Sequence, residues 1–455
     1  MNNMKSTLLS VEEFAARRAR FFAQMPTNAV ALIPAGREVT RSNDTEYLFC
    51  QEKNFYYLTG FLEPDALLVL DKSTNEQGDT VEQTLLFSRE KDALQEVWHG
   101  RRIGQSQAVT DYGVDLCFTL AEIDSQLPDL LNHKSVLFYP FNQVVGLDKK
   151  IEQWSSQLKS AVKLGHKAPT NHQDAADIIS EMRLIKSDCE LAIMRHANEI
   201  SSSAHVRAME KTRDIDFEYQ IEAEIMHEFA RLGARYAAYN SIVAGGDNAN
   251  ILHYTENSEP LNDGELLLID AGCELAGYAA DITRTFPING KFDTEQKAIY
   301  QLVLNSQIAA IEAIKPNANF AQLNEIVGKI LTEGLHELGI LKGDLAQLVE
   351  DNACKKYFIH GLGHWLGLDV HDVGDYHANE KRQQMRAFEP GMVMTIEPGI
   401  YIPQDDESVD EKWRGIGVRI EDNIVVTEQG YENLSTNAVK SIDEIESLMS
   451  NSEAS

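Results

Sequence analysis

Two acidic residues raise the first question of chemistry. Asp270 ends the apolar run LLLID, and Asp281 opens DITRTF, with a turn offered between them at residues 274–277. If the two strands pair about that turn, Asp270 and Asp281 lie opposite each other on one face. Like charges so placed repel, and burying either one unpaired is costly. Something positive must sit between them, either a basic side chain, for which Arg284 is a candidate, or a metal ion. Further along, Glu397 lies in VMTIEPGIY and Glu421 in IGVRIEDNIVV, where Arg419 points to the same side of the strand. His360 and His364 occur in HGLGHWLG, followed by His371 in VHDVG. A lone strand glutamate or core histidine needs no function. Four carboxylates and a histidine, each inside or beside an apolar segment, form a metal-ligating pattern.

Oxygen-rich ligation with one imidazole suits hard or borderline divalent ions such as Mn²⁺ and differs from structural zinc with its thiolates. Charge counting agrees with two ions: two divalent metals carry about +4, against about −5 for four carboxylates and a bridging hydroxide. Two ions ~3.5–4 Å apart describe a hydrolytic site.

The elements that must hold these residues read as two parts. Ser10 and Glu13 signal a helix start, with Phe14, Phe21, Phe22 and Met25 on one face. Short apolar runs at 29–33, 55–57, 66–70, 84–87 and 135–139 read as strands, and the polar stretch 72–82 reads as a loop. The segment KAPTNHQDAAD, 167–177, reads as a linker and places a domain boundary between residues 176 and 177. Beyond it, Ser187 and Glu190 form a capping-box signal before a helix through Met209. Phe217, Ile221, Ile225 and Phe229 mark a second helix ended by Gly233, and 294–314 and 320–338 a further pair. Strands are expected at 266–270, 281–286, 393–397 and 418–426. Helix pairs alternating with antiparallel strands describe an α+β domain over 177–446, leaving 447–455 as a frayed tail.

Composition narrows the partners. The 455 residues carry 41 Lys+Arg against 71 Asp+Glu, a formal net charge of −30. A chain this acidic repels phosphate backbones and anionic lipid, so nucleic acid and membrane surfaces are excluded as expected partners. At 43% hydrophobic and 25% charged it reads as globular. The five cysteines show no C-x-x-C pair, and the N-terminus has no apolar targeting core, so the expected location is the cytoplasm.

At the carboxylate and histidine segments the chain resembles the proline-specific pita-bread metallopeptidases, most closely the aminopeptidase P (Xaa-Pro aminopeptidase) branch. The matching segments are ILHYTEN at Ile251, IDAGCELAGYAADITRTFP at Ile269, HGLGHWLGLDVHDVG at His360, EPGMVMTIEPGIY at Glu389 and GIGVRIEDN at Gly415. TRSNDTEY at Thr40, FYYLTGFLEPDA at Phe55 and VWHGRRIG at Val97 extend the likeness to the first part. The resemblance implies an α/β N-terminal domain with a mixed, creatinase-like sheet, followed by an α+β pita-bread catalytic domain of helix pairs on a curved antiparallel sheet. It implies Asp270, Asp281, His364, Glu397 and Glu421 as ligands of two divalent ions, most simply Mn²⁺, with Asp281 and Glu421 bridging. His253, His360 and His371 become outer-shell and substrate histidines, Arg419 a holder of neighbouring carboxylates, and Glu397 a proton carrier. Asp44, Trp98 and Tyr376 are implied substrate-side residues, Trp98 in a neighbouring subunit of a homo-oligomer (a tetramer first, a dimer second).

The implied reaction is release of the N-terminal residue from peptides with proline in the second position, by attack of a metal-bridging hydroxide. Two rivals carry the same segments: a prolidase restricted to Xaa-Pro dipeptides, and an inactive pita-bread module that binds peptides or proteins. One stretch departs from the family pattern. Residues 376–389, YHANEKRQQMRAFE, form a longer connection in which Arg382 and Arg386 compete for one substrate-side role.

Overall fold

Apolar runs of strand length build the first half of the molecule. The computed structural model describes residues 9–378 and 383–451, and the chain divides into two units, Met1–Arg183 and Leu184–Ser455. In the first unit the wholly buried strand Ala29–Pro34 is central to a mixed six-stranded sheet. It pairs antiparallel with Leu67–Thr74 and parallel with Val136–Tyr139. Thr80–Ser88 and Leu116–Thr119 extend one side, and Asn171–Asp174 the other. The helix Val11–Gln24 begins at Ser10, whose side chain accepts the Glu13 N–H.

Three local expectations for this unit are corrected. The run at 55–57 belongs to a helix, Lys53–Thr59, which Glu52 caps by accepting the Phe55 N–H and Gly60 ends at φ +66°. A short apolar run carries no period of its own, so cap chemistry decides. The polar stretch 72–82 is mostly paired hairpin, with Lys72 opposite Glu82 and Thr74 opposite Thr80. The segment 167–177 contains the strand Asn171–Asp174 and the start of the helix Ala175–Leu184. That helix is tied to the first unit, because Tyr57 Oη donates to Met182 O (2.9 Å) and Arg183 Nη1 to Asn54 Oδ1 (2.7 Å). The units therefore part after Arg183, beyond the boundary read at 176/177.

In the second unit, Ser187 and Glu190 form both halves of a capping box at the start of Asp188–Lys211. This helix packs with Glu218–Leu232, and Thr294–Glu312 packs with Phe320–Glu337. Leu266–Asp270 lies between Ile242–Gly245 and Thr283–Pro287, both antiparallel to it. Val393–Ile396, Asp422–Thr427 and Gly430–Asn433 form a second sheet, and Gly399–Ile402 with Ile416–Arg419 a ribbon. A bridge between Thr283 and Glu421 joins the first sheet to the segment that feeds the second.

Two register details differ from the sequence reading. Asp270 faces Thr283, so Asp281 lies just beyond the ladder instead of opposite Asp270. The intervening residues leave to form their own hairpin, Cys273–Leu275 with Tyr278–Ala279. At Gly272 a Cβ would fall 1.7 Å from Ala280 O, so only glycine lets the two chains approach there. The run at 418–426 breaks at Ile420 and Glu421 into strands of different sheets. At the far end, the helix Ile442–Asn451 buries Ile445 and Met449 in the core, so residues 447–451 are helical where fraying was expected.

Candidate metal centre

Strand ends and one tight loop deliver the acidic and imidazole side chains. Asp270 terminates Leu266–Asp270, while Asp281 immediately precedes Thr283–Pro287 and Glu397 immediately follows Val393–Ile396. Glu421 sits in the break between two strands, its N–H donating to Thr283 O (3.1 Å). His364 follows Gly363, where a Cβ would lie 2.0 Å from Thr395 O. That close approach lets His364 and Thr395 exchange bonds: Thr395 N–H donates to His364 O (2.9 Å), and His364 N–H to Thr395 Oγ1 (3.1 Å). The imidazole Nδ1 is 2.9 Å from Trp365 O. A carbonyl only accepts, so Nδ1 carries a proton, and Nε2 faces the carboxylates.

Asp281, His364 and Glu421 each offer a ligand atom, and these atoms all lie within 4.8 Å of one another. His364 Nε2 is 3.4 Å from Asp281 Oδ2 and 3.5 Å from Glu397 Oε1. Tyr239 Oη contacts Asp270 Oδ1 at 2.6 Å and Asp281 Oδ1 at 2.5 Å, bringing the fifth residue into the group. All five line one cavity of about 330 Å³ together with His253, His360, His371 and Arg419.

The electrostatics are those of excess negative charge. Burial pushes the Glu421 carboxyl well above its ordinary range, Asp270 upward and Glu397 up to about 7. Burial acts the same way on Asp281, but His364, Tyr239 and Arg419 together outweigh it and hold that carboxyl low. His364 in turn rises to about 9, because Asp281 overcomes the effect of burial. Arg419 meets Asp270 at 2.7 Å and also bonds Thr283 Oγ1 and Tyr401 Oη. Arg284, the candidate basic group between the aspartates, is instead turned to Asp422 (2.7 Å) and backbone carbonyls. One guanidinium and one imidazole face four acids. Oxygen donors crowded in this way, with an imidazole nitrogen aimed among them, fit a divalent metal centre.

The surrounding residues divide. His360 Nε2 bonds Tyr401 Oη (2.7 Å) and Nδ1 bonds Gly361 O (2.7 Å); burial, then Arg419, keeps its pKa down near 3, so the ring is neutral. The His371 ring packs against His364 at a tilt of 59°, with 4.1 Å between ring centroids. His371 and His253 are exposed and also line an adjoining cavity of about 300 Å³ with Tyr239, Ile242 and Val370. Tyr376 lies outside both linings, stacked on Trp365 with its hydroxyl accepting the Trp365 N–H (3.0 Å). Arg386 N–H donates to Tyr376 O, and Arg382 lies outside the described residues. Asp44, in a turn, and Trp98, 76% exposed on the helix Ala93–His99, are features of the first unit.

Sequence reasoning did not single out Tyr239, Tyr401, Thr395 or Thr283. Thr283 was findable: Asp281, Thr283 and Thr285 alternate along a strand that is buried throughout, so a polar face had to have partners. Tyr239 carries no such signal.

Residues 192–428 match the model of metallopeptidase family M24, and 14–139 that of the aminopeptidase P N-terminal domain. The chain is 48% identical to the Xaa-Pro aminopeptidase of Escherichia coli, over 97% of this chain and 98% of that one. It is 34% identical to human Xaa-Pro aminopeptidase 3, over 97% and 86%. It also superimposes on zinc-substituted E. coli aminopeptidase P in complex with product, at TM-score 0.94 and 47% identity, covering 98% and 99% of the two chains. Proline aminopeptidase P II from Yersinia pestis gives 0.93 at 48%, covering 97% and 100%. The acids that need a cation, the sheets that deliver them and the likeness of the whole chain agree, and the protein belongs to metallopeptidase family M24, on the branch that carries an aminopeptidase P N-terminal domain.

Proposed function

We infer that the protein is a metal-dependent aminopeptidase that releases the first residue from peptides with proline in the second position. The observation that carries this is the convergence of Asp270, Asp281, His364, Glu397 and Glu421 on one cavity. In this reading those five residues would hold two divalent ions. Mn²⁺ is assigned because the donors are oxygens and one imidazole, without thiolate. When bound, the ions supply an acidified water as nucleophile and Lewis acidity toward the scissile carbonyl.

The chain's own residues do the rest. Glu397 can take a proton and return it, here to the prolyl nitrogen, which must be protonated to leave. His253 or His371 donates a hydrogen bond to the carbonyl oxygen as charge develops on it. Arg419 holds Asp270 in orientation, and neutral His360 spans Tyr401 and Glu397 (3.6 Å). An Xaa-Pro bond has no N–H, so recognition must rest on flat apolar surface. Asp44 and Trp98 act on the substrate side, Trp98 in a neighbouring subunit, and Arg386 or Arg382 adds one basic contact.

Assembly into a tetramer of paired dimers is proposed from the exposed apolar side chains of Leu94, Val97 and Trp98 on one short helix. A cytoplasmic location is supported by five free cysteines. Among the described residues no helix is long and apolar enough to cross a membrane.

The test compares Xaa-Pro-Yaa peptides with Xaa-Pro dipeptides, with Mn²⁺ and after metal stripping. Metal-dependent release of the first residue from the longer peptides, lost in Asp281→Ala, is expected. Turnover of dipeptides alone would make the protein a prolidase, and absence of turnover with every metal would leave a binding module.

A further inference from the structure

One amide side chain joins the two strand ends that carry Glu397 and Glu421. Gln307, fully buried on the Thr294–Glu312 helix, directs Nε2 at the carbonyl oxygens of Ile396 (3.2 Å) and Ile420 (3.1 Å). Its Oε1 accepts from Lys440 Nζ at 2.8 Å. The partners settle which end is which: carbonyls only accept and an ammonium only donates, so the nitrogen faces the strand ends. Lys440 is itself anchored on Asp422, which also takes the Arg284 guanidinium.

Those two carbonyls belong to the peptide units whose N–H groups are those of Glu397 and Glu421. The N–H groups are bound as well, to Leu362 O (2.8 Å) and Thr283 O (3.1 Å). Because a peptide unit is planar, holding both its polar groups fixes the plane and the Cα that follows. Each carboxylate-bearing residue is thus pinned at both sides of its peptide, and one pin is common to the pair. The two hydrogens of a single nitrogen couple the positions of Glu397 and Glu421 from outside the cavity, whose lining does not include Gln307.

We propose that Gln307 is a positioning residue that sets the separation of Glu397 and Glu421, and thereby the metal affinity of the site, with Lys440 fixing the direction of its amide. The proposal rests on the reading of both glutamates as metal ligands. A merely structural Gln307 would satisfy two buried carbonyls and stabilise the helix–sheet contact, with no effect on metal binding by the folded protein.

The test is calorimetric titration of Mn²⁺ into the metal-stripped full-length protein, alongside thermal unfolding. Gln307→Leu is expected to bind Mn²⁺ about ten- to a hundredfold more weakly, the range for lost supporting contacts. KM for an Xaa-Pro-Yaa peptide at saturating Mn²⁺ should stay within about twofold, since no substrate contact is removed. Ile311→Ala, a core truncation on the same helix, supplies comparable destabilisation and should leave Mn²⁺ affinity unchanged. Should Gln307→Leu fail to fold, Lys440→Met leaves the glutamine in place but frees its amide, and about three- to tenfold weaker binding is expected. Wild-type Mn²⁺ affinity in whichever variant folds overturns the proposal, as does an equal loss in Ile311→Ala. A wild-type protein that binds no divalent ion overturns the metallopeptidase reading instead.

Discussion

Glu421 and Asp422 are neighbours in sequence, and both are almost wholly buried, yet they live in opposite electrostatic worlds. Asp422 accepts from Arg284 (2.7 Å), Lys440 and Asn433, and these partners overcome burial to hold its carboxyl down at about 2. Glu421, turned to the other face of the chain, meets Asp281, Glu397 and Asp270, and burial among them drives its carboxyl far upward. Alternation of side chains at consecutive extended residues allows this divergence within two positions. Where the fold supplies its own cations it makes a strut. Where it gathers acids in excess, it leaves a charge for something else to balance.

The sharpest way to break that comparison is to neutralise each acid isosterically. Glu421→Gln should lower metal-dependent peptidase activity by about a thousandfold or more, ~4 kcal/mol in the barrier. It should leave the unfolding free energy of the metal-stripped protein unchanged or raised, because a repelling charge is removed. Asp422→Asn should do the converse. It leaves Arg284 and Lys440 facing no carboxylate and is expected to cost about 3–5 kcal/mol of stability. Denaturant unfolding of both metal-stripped variants checks the pair. Equal destabilisation by the two would mean that Glu421 is a strut as well.

The same divergence predicts pH responses of opposite sign. Asp422 has a folded pKa of about 2 against an ordinary 3.8, so its stabilisation is complete above 3.8 and is lost as pH falls through about 2. Glu397 is raised from 4.5 to about 7. Its proton is held more tightly in the folded state, so metal-stripped protein should gain stability as pH falls from 7 to 4.5, by about 3 kcal/mol. Glu397→Gln should remove this share of the gain, to which Glu421 and Asp270 add in the same direction, and saturating Mn²⁺ should suppress it. Unfolding curves across that interval that rise equally in the Glu397→Gln variant would assign the effect elsewhere.

How much of this was legible beforehand depends on whether a residue's neighbours in space are also its neighbours in sequence. The Ser187–Glu190 capping box and the strand Leu266–Asp270 were readable because their signals are local. The four carboxylates stood out because an acid beside an apolar run demands a partner, whereas the choice of His364 among the histidines at 360, 364 and 371 came from the family resemblance. The register of Asp270 was not, since the hairpin at 273–279 leaves the sheet at a glycine whose crowding is tertiary. The role of Arg284 was misjudged for a related reason. Three residues after Asp281 it points to the other face, toward Asp422, a partner distant in sequence. Tyr239 and Gln307 announce themselves only through what they touch.

Thr283 stands on the seam between the strut and the charged cavity, which makes it the finest probe of the contrast. Its hydroxyl donates to Glu421 Oε2 (2.7 Å) and accepts from Arg419 Nε (3.1 Å), while its backbone oxygen accepts from Arg284 Nη1 (2.9 Å) and the Glu421 N–H. Thr283→Val keeps the β-branched shape and every backbone bond, so the Arg284–Asp422 side is untouched. Only the hydroxyl facing the cavity disappears, leaving Glu421 freer to rotate and Arg419 one acceptor short. A hydrogen bond to a charged group contributes about 2 kcal/mol, so Mn²⁺ affinity should fall by about thirtyfold. The stability of the metal-stripped protein should fall by less than in Asp422→Asn. If titration shows wild-type affinity while unfolding shows a loss as large as that of Asp422→Asn, the two faces are not energetically separate, and the division between strut and cavity fails at its boundary.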